Sequence, residues 1–125
     1  MTNLRNTDLR IRDINKLVGY KSQSIIWDRG FENNNEWFYA SLENESYKQK
    51  LLFWLNEKNI DTNCHSVLIL PSSDSIKRLT WGSFISDLEN YFIKSEFKLY
   101  DVELRWVLEY QTQEIARFGK FDVSK

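Results

Sequence analysis

A chain of 125 residues with 42% hydrophobic and 28% charged side chains has the size and composition of one globular domain, residues 1–125, able to bury roughly two thirds of the surface its unfolded form exposes. Seventeen basic against eighteen acidic side chains leave a formal charge of −1, which argues against a general DNA or RNA binder, because such domains carry a positive excess to neutralise phosphates. One Cys excludes an intramolecular disulfide or a cysteine-based metal cluster, and four Gly with one Pro exclude glycine-rich phosphate cradles and long linkers.

The opening Met1-Thr2-Asn3-Leu4-Arg5 lacks the apolar core of a signal peptide. The longest apolar runs, Leu51 to Leu55 and Val67 to Leu70, are far too short for a membrane span, so the expectation is a soluble cytoplasmic protein. Thr7 or Asp8 is positioned to cap a short helix whose apolar stripe is Leu9, Ile11, Ile14, Leu17 and Val18 and which ends near Gly19. Ser24 to Asp28 reads as a short strand before the turn signal at Gly30, and Asn33-Asn34-Asn35 as a loop. Trp37-Phe38-Tyr39 follows; three consecutive rings cannot all face inward from a regular element, so at least one belongs at the surface, either in a packed irregular loop or in a partner-binding patch.

From Ser41, a plausible N-cap, Tyr47, Leu51, Trp54, Leu55 and Lys58 fall at helical spacing up to about Asn59, with Leu52 and Phe53 widening the stripe. Val67 to Leu70 predicts a buried strand stopped by Pro71 and a polar loop from Ser72 to Ser75. Thr80 caps the clearest helix, in which Trp81, Phe84, Ile85, Leu88, Tyr91 and Phe92 share a face. Phe97, Leu99 and Asp101 then alternate, and Leu104, Trp106, Leu108 and Tyr110 occupy one side of a strand whose other side carries Arg105, Val107, Glu109 and Gln111. A turn at Thr112-Gln113 returns the chain as a second arm from Glu114 to Phe121. The mixed order of these elements predicts an α+β domain, a mainly antiparallel sheet packed with two to three helices.

No constellation of catalytic groups emerges. His65 follows Cys64 directly, and adjacent strand residues point to opposite faces, so the pair reads as a loop entering a strand rather than a nucleophile and its base. Zinc sites need several His or Cys ligands, and Asp61-Thr62-Asn63 lacks the remainder of a calcium loop; neither metal nor cofactor is expected. Asp101 and Glu103 share a strand face, but paired carboxylates are common among eighteen acids.

Leu79-Thr80-Trp81-Gly82-Ser83-Phe84, then Leu88-Glu89-Asn90-Tyr91-Phe92, and a closing Arg117-Phe118-Gly119-Lys120-Phe121 resemble small bacterial immunity proteins. These are the cognate inhibitors of polymorphic toxin systems, including contact-dependent growth inhibition. The likeness covers the C-terminal third and, more faintly, Ile25-Ile26-Trp27. It implies a monomer that is not an enzyme and that binds the C-terminal domain of a toxin, a nuclease foremost, one to one. Nuclease surfaces tend to be basic, so carboxylates would speed encounter. On that basis Asp87, Glu89, Asp101, Glu103, Glu109 and Glu114 are candidate partner-binding residues, and Trp37 and Tyr39 are candidate aromatic anchors. The residues themselves leave open a small ligand-binding or carboxylate-based enzymatic domain, and an RNA-associated domain using Arg5, Arg10, Arg12 and Lys16.

Overall fold

The computed structural model describes residues 3–19, 21, 24–29 and 35–122. Gly30 and Asn33-Asn34 lie outside the described residues. Seven strands form one sheet: β1 (Ile25–Trp27), β2 (Phe38–Tyr39), β3 (His65–Leu70), β4 (Ser75–Thr80), β5 (Phe97–Asp101), β6 (Trp106–Gln111) and β7 (Ile115–Phe121). Their order is β1-β7-β6-β5-β3-β4, with β2 also on β7, and every pairing is antiparallel. Among the described residues four α-helices accompany the sheet, α1 (Ile11–Gly19), α2 (Glu45–Asn56), α3 (Trp81–Ser86) and α4 (Leu88–Tyr91), with a 3-10 turn at Pro71–Ser73 between β3 and β4. The α+β reading with a mainly antiparallel sheet therefore holds.

Period-two alternation sends each central strand's residues to two separate cores. On one face Leu68, Phe97, Leu99, Trp106, Leu108, Tyr110, Ala116 and Phe118 meet α2, α3 and α4. Rings dominate there: Trp81 meets Trp106 edge-on at 5.3 Å, Phe84 meets Phe97 at 5.8 Å, and Phe92 meets Tyr110 at 4.9 Å. Such edge and offset contacts add to burial because ring edges and faces carry opposite partial charge. On the other face Val67, Ile69, Tyr100, Val107 and Phe121 meet Leu4 and the Ile14 and Val18 stripe of α1. A sheet covered on both sides explains why Val107, assigned by alternation to the side of Arg105 and Glu109, is buried.

Several local expectations change. Helix α1 begins at Ile11, and the Asp13 carboxylate accepts from the Arg10 amide at 3.0 Å; Thr7 and Asp8 do not cap it. The cap of α2 is Asn44, whose side chain accepts from the Tyr47 amide at 3.0 Å, while Ser41 is buried and accepts from the Glu43 amide. The helix expected over 81–92 breaks at Asp87 (φ −121°, ψ 34°), so the two to three helices expected become four α-helices among the described residues. Leu104 does not share a face with Trp106: it sits left-handed at φ 55° in the β5–β6 turn and packs into the α1 core. Strand β4 is an addition: the expected loop ends at Ser75, the expected helix cap is Thr80, and Ile76 to Leu79 between them carry no sequence assignment because Lys77 and Arg78 mask the alternation. Strand β2 was open to a loop reading, being only two residues long.

Gly119 is required by close approach. A Cβ there would lie 2.7 Å from Ile25 Cγ2 and 2.8 Å from Trp27 Cε3, so its absence lets β1 seat on β7.

Candidate protein-binding surface

Strand β2 lies on the outer edge of β7, pairing Phe38 with Ala116 and Tyr39 with Ile115, and this places the three consecutive rings in three environments. Phe38 stacks on Trp54 of α2 with centroids 4.6 Å apart and planes 2° from parallel. Tyr39, 48% exposed, stands edge-on to Tyr47 at 5.4 Å, and its hydroxyl donates to Glu114 Oε2 at 3.2 Å. Trp37 is half-buried against Arg117. One ring core-facing, one on a cation and one at the surface is the division that backbone alternation demands.

Arg117 organises this end of the sheet. Its guanidinium lies 3.7 Å from the Trp27 ring centre and 4.5 Å from that of Trp37, while Nε donates to Glu109 at 2.9 Å and Nη1 to Glu36 at 2.6 Å. Planar and permanently charged, it satisfies two rings and two carboxylates at once and ties β1, β2 and β6 to β7. Lys58 does the same on the helical face: its ammonium pairs with Asp28 at 2.9 Å and lies over Trp54 at 4.7 Å. With its side chain only 9% exposed, Lys58 is a fixed wall of the site.

Between β2 and α2 an open groove of about 950 Å³ is lined by Trp37, Phe38, Tyr39, Phe53, Trp54 and Lys58, among others. Phe53 is 68% exposed, pointing away from the Leu51 and Leu55 core stripe. An aromatic side chain of that exposure, beside a second exposed ring and on ordered elements, has the composition of a binding anchor.

The sequence-nominated residues divide by position. Trp37, Tyr39, Glu109 and Glu114 come together around β2 and β7 through the contacts above. Glu114 also pairs with Lys94 at 3.1 Å, and Lys94, Ser41 and Tyr39 together hold its carboxyl below the usual value. Glu89 is on α4, ion-paired to Lys48 of α2. Asp87 stands at the α3–α4 break. Glu103 sits in the β5–β6 turn, paired with Arg5, and does not share a strand face with Asp101.

Asp101 has no exposed surface. Its carboxylate accepts from the Glu103 amide at 3.2 Å, the Arg105 amide at 3.1 Å and the Arg105 side chain, so its charge holds the β5–β6 turn. Cys64 approaches the same carboxylate at 3.6 Å. Burial first, then the Asp101 charge, pushes the Cys64 thiol up, which keeps it protonated at neutral pH. Among the described residues no group of three or more His, Cys, Asp or Glu is arranged to hold a metal ion, and no helix is long and apolar enough to cross a membrane.

Sequence reasoning missed Phe53, Trp54, Lys58, Trp27 and Arg117 as members of this surface. The available signal was the apolar run Leu51 to Leu55, wider than one buried stripe requires. Set against known proteins, the chain matches no family model, no curated protein and no solved structure.

Proposed function

We propose that this protein is an immunity protein: a cytoplasmic, non-catalytic monomer that binds the C-terminal domain of a cognate bacterial toxin one to one and blocks it. The observation that carries this reading is the exposed pair Tyr39 and Phe53 at the mouth of the β2–α2 groove, on elements fixed by Arg117 and Lys58. An inhibitor that acts by occupancy needs a preformed surface with aromatic anchors, since ordering such side chains on binding would cost affinity. The resemblance in the Thr80-to-Phe92 and Arg117-to-Phe121 segments supplies the biological setting. Glu114 accepts from Tyr39 and pairs with Lys94, and Glu109 pairs with Arg117; with side chains 14% and 12% exposed, the two carboxylates support the anchors rather than face a toxin. Asp101, being fully buried, has no place in the interface.

The test is co-expression of the chain with the product of the neighbouring upstream gene, followed by pull-down and growth measurement. A stable complex that restores growth is expected. Absence of both complex and rescue overturns the reading.

A further inference from the structure

The sheet ends at β4, which has β3 on one side and, among the described residues, no strand on the other. Trp81 donates its amide to the Cys64 carbonyl at 2.9 Å, continuing the β3–β4 ladder, and Val102 donates to His65 at 3.1 Å, continuing the β3–β5 ladder. Both bonds fix the same phase: Ser75, Lys77 and Leu79 bond inward to β3. The alternation of an antiparallel strand therefore turns the N–H and C=O of Ile76 and Arg78 outward, at the sheet edge.

A groove of about 720 Å³ runs along the Lys77-to-Thr80 part of this edge, with Arg78 and Arg5 on one flank and Lys77, Asp87 and Tyr91 on the other. Arg5 is neutralised by Glu103. The Arg78 guanidinium donates to the carbonyls of Leu4 and Asn6, both at 2.7 Å, and the Lys77 ammonium donates to the Tyr91 hydroxyl at 3.0 Å. These partners are neutral, and among the described residues neither cation makes an ion pair. Among the described residues that line the groove Asp87 is the acid that opposes them, so the edge is a positive strip on a chain whose formal charge is −1.

We propose that β4 is a docking edge for an extended acidic segment of another protein, which adds to the sheet as a further strand. Its backbone would bond to Ile76 and Arg78, and carboxylates at two consecutive positions would reach opposite flanks, one to Arg78 and the next to Lys77. A second copy of this chain is a poor occupant, since antiparallel self-pairing about Lys77 and Arg78 sets cation against cation. This edge lies at the opposite end of the sheet from β2, so the inference stands apart from the toxin reading.

The test titrates the isotope-labelled full chain with a capped seven-residue peptide, Thr-Val-Glu-Glu-Val-Thr-Val, and with the same peptide carrying Lys in place of Glu. Amide exchange is followed by NMR. The acidic peptide at saturation is expected to slow exchange at Ile76 and Arg78 by about tenfold or more, as a new backbone bond does. The lysine peptide should leave both amides unchanged. Lys77→Glu, at an exposed position that preserves the fold, should weaken the acidic peptide by about tenfold, the order of one charge-assisted contact. Unchanged exchange at Ile76 and Arg78, an equal effect of the lysine peptide, or shifts centred on Tyr39 and Phe53 would each overturn the proposal.

Discussion

Gly119 faces Trp27 across the β7–β1 ladder at a separation that leaves no room for a Cβ, and the same Trp27 ring receives the Arg117 guanidinium from the next turn of the pleat. Gly119→Ala therefore forces β1 away from β7 and loosens the Arg117 stack. The expected cost is about 1–3 kcal/mol, in the range of overpacked cores. Urea unfolding measures it; an unaltered midpoint would show that β1 gives way freely.

Asp101 is the hub of the β5–β6 turn. Asp101→Ala removes the acceptor for two backbone amides and leaves Arg105 without its partner, at an expected cost of about 2–4 kcal/mol. Arg105→Ala should cost less, because the Arg105 side chain is 64% exposed and the two amide bonds to Asp101 survive. Equal losses in the two variants would contradict this division. Reversing the charge of Asp101 together with Glu103 consequently reports on folding before it reports on any interface.

Glu114 links β7 to Tyr39 and Lys94, with its carboxyl held below the ordinary value of 4.5, chiefly by the Lys94 ammonium. For a carboxyl whose folded value is depressed, the linked stability is present above the ordinary value and is lost as pH falls through the folded one. Glu114→Gln should thus be less stable than the parent at pH 7, with the difference shrinking below pH 4.5. Thermal unfolding of both proteins across that interval is the check, and a difference independent of pH would refute the pairing.

Cys64 offers a separate titration. A thiol raised by burial and by the Asp101 charge stays protonated at neutral pH, so alkylation by iodoacetamide at pH 7.5 should run slower than for an unhindered cysteine. Its rate should climb only at alkaline pH. Fast labelling at neutrality would mean an exposed, ionised thiol.

At the proposed toxin surface, Phe53→Ala should leave the unfolding midpoint nearly unchanged, since that ring is exposed, whereas Tyr39→Ala should lower it modestly, because it also removes the Glu114 hydrogen bond and the Tyr47 edge contact. Each should weaken the complex by about 2 kcal/mol, roughly thirtyfold. Lys16→Ala, exposed on α1 over the opposite face of the sheet, is the control, expected to be neutral for binding. Wild-type affinity in both aromatic variants would move the interface elsewhere.

How far the molecule was readable depended on pattern length. Trp81 to Phe92 carries enough helical period to be assigned, and the break at Asp87 only redirects it. Trp106 to Gln111 and Ile115 to Phe121 carry enough alternation to be paired correctly about the Thr112-Gln113 turn. Strand β4 was not legible because a sheet edge guarded by Lys77 and Arg78 is built to look unlike a strand. Leu104 was misplaced because one left-handed residue resets the alternation, and nothing in a Leu announces that conformation. Tyr39 was partly legible from the ring triplet, whereas Phe53 needed the direction in which α2 faces the sheet.

By itself the sequence determined the fold class, the dominance of aromatic packing and the absence of a disulfide within it, because period, ring content and cysteine count are local or additive properties. Only the tertiary structure decided that Asp101 is buried while Glu103 meets solvent, that Arg117 sits between Trp27 and Trp37, and that β4 ends the sheet. Burial, charge pairing and edge position arise from residues far apart in the chain, so their physics exists only once strand order and register bring those residues together.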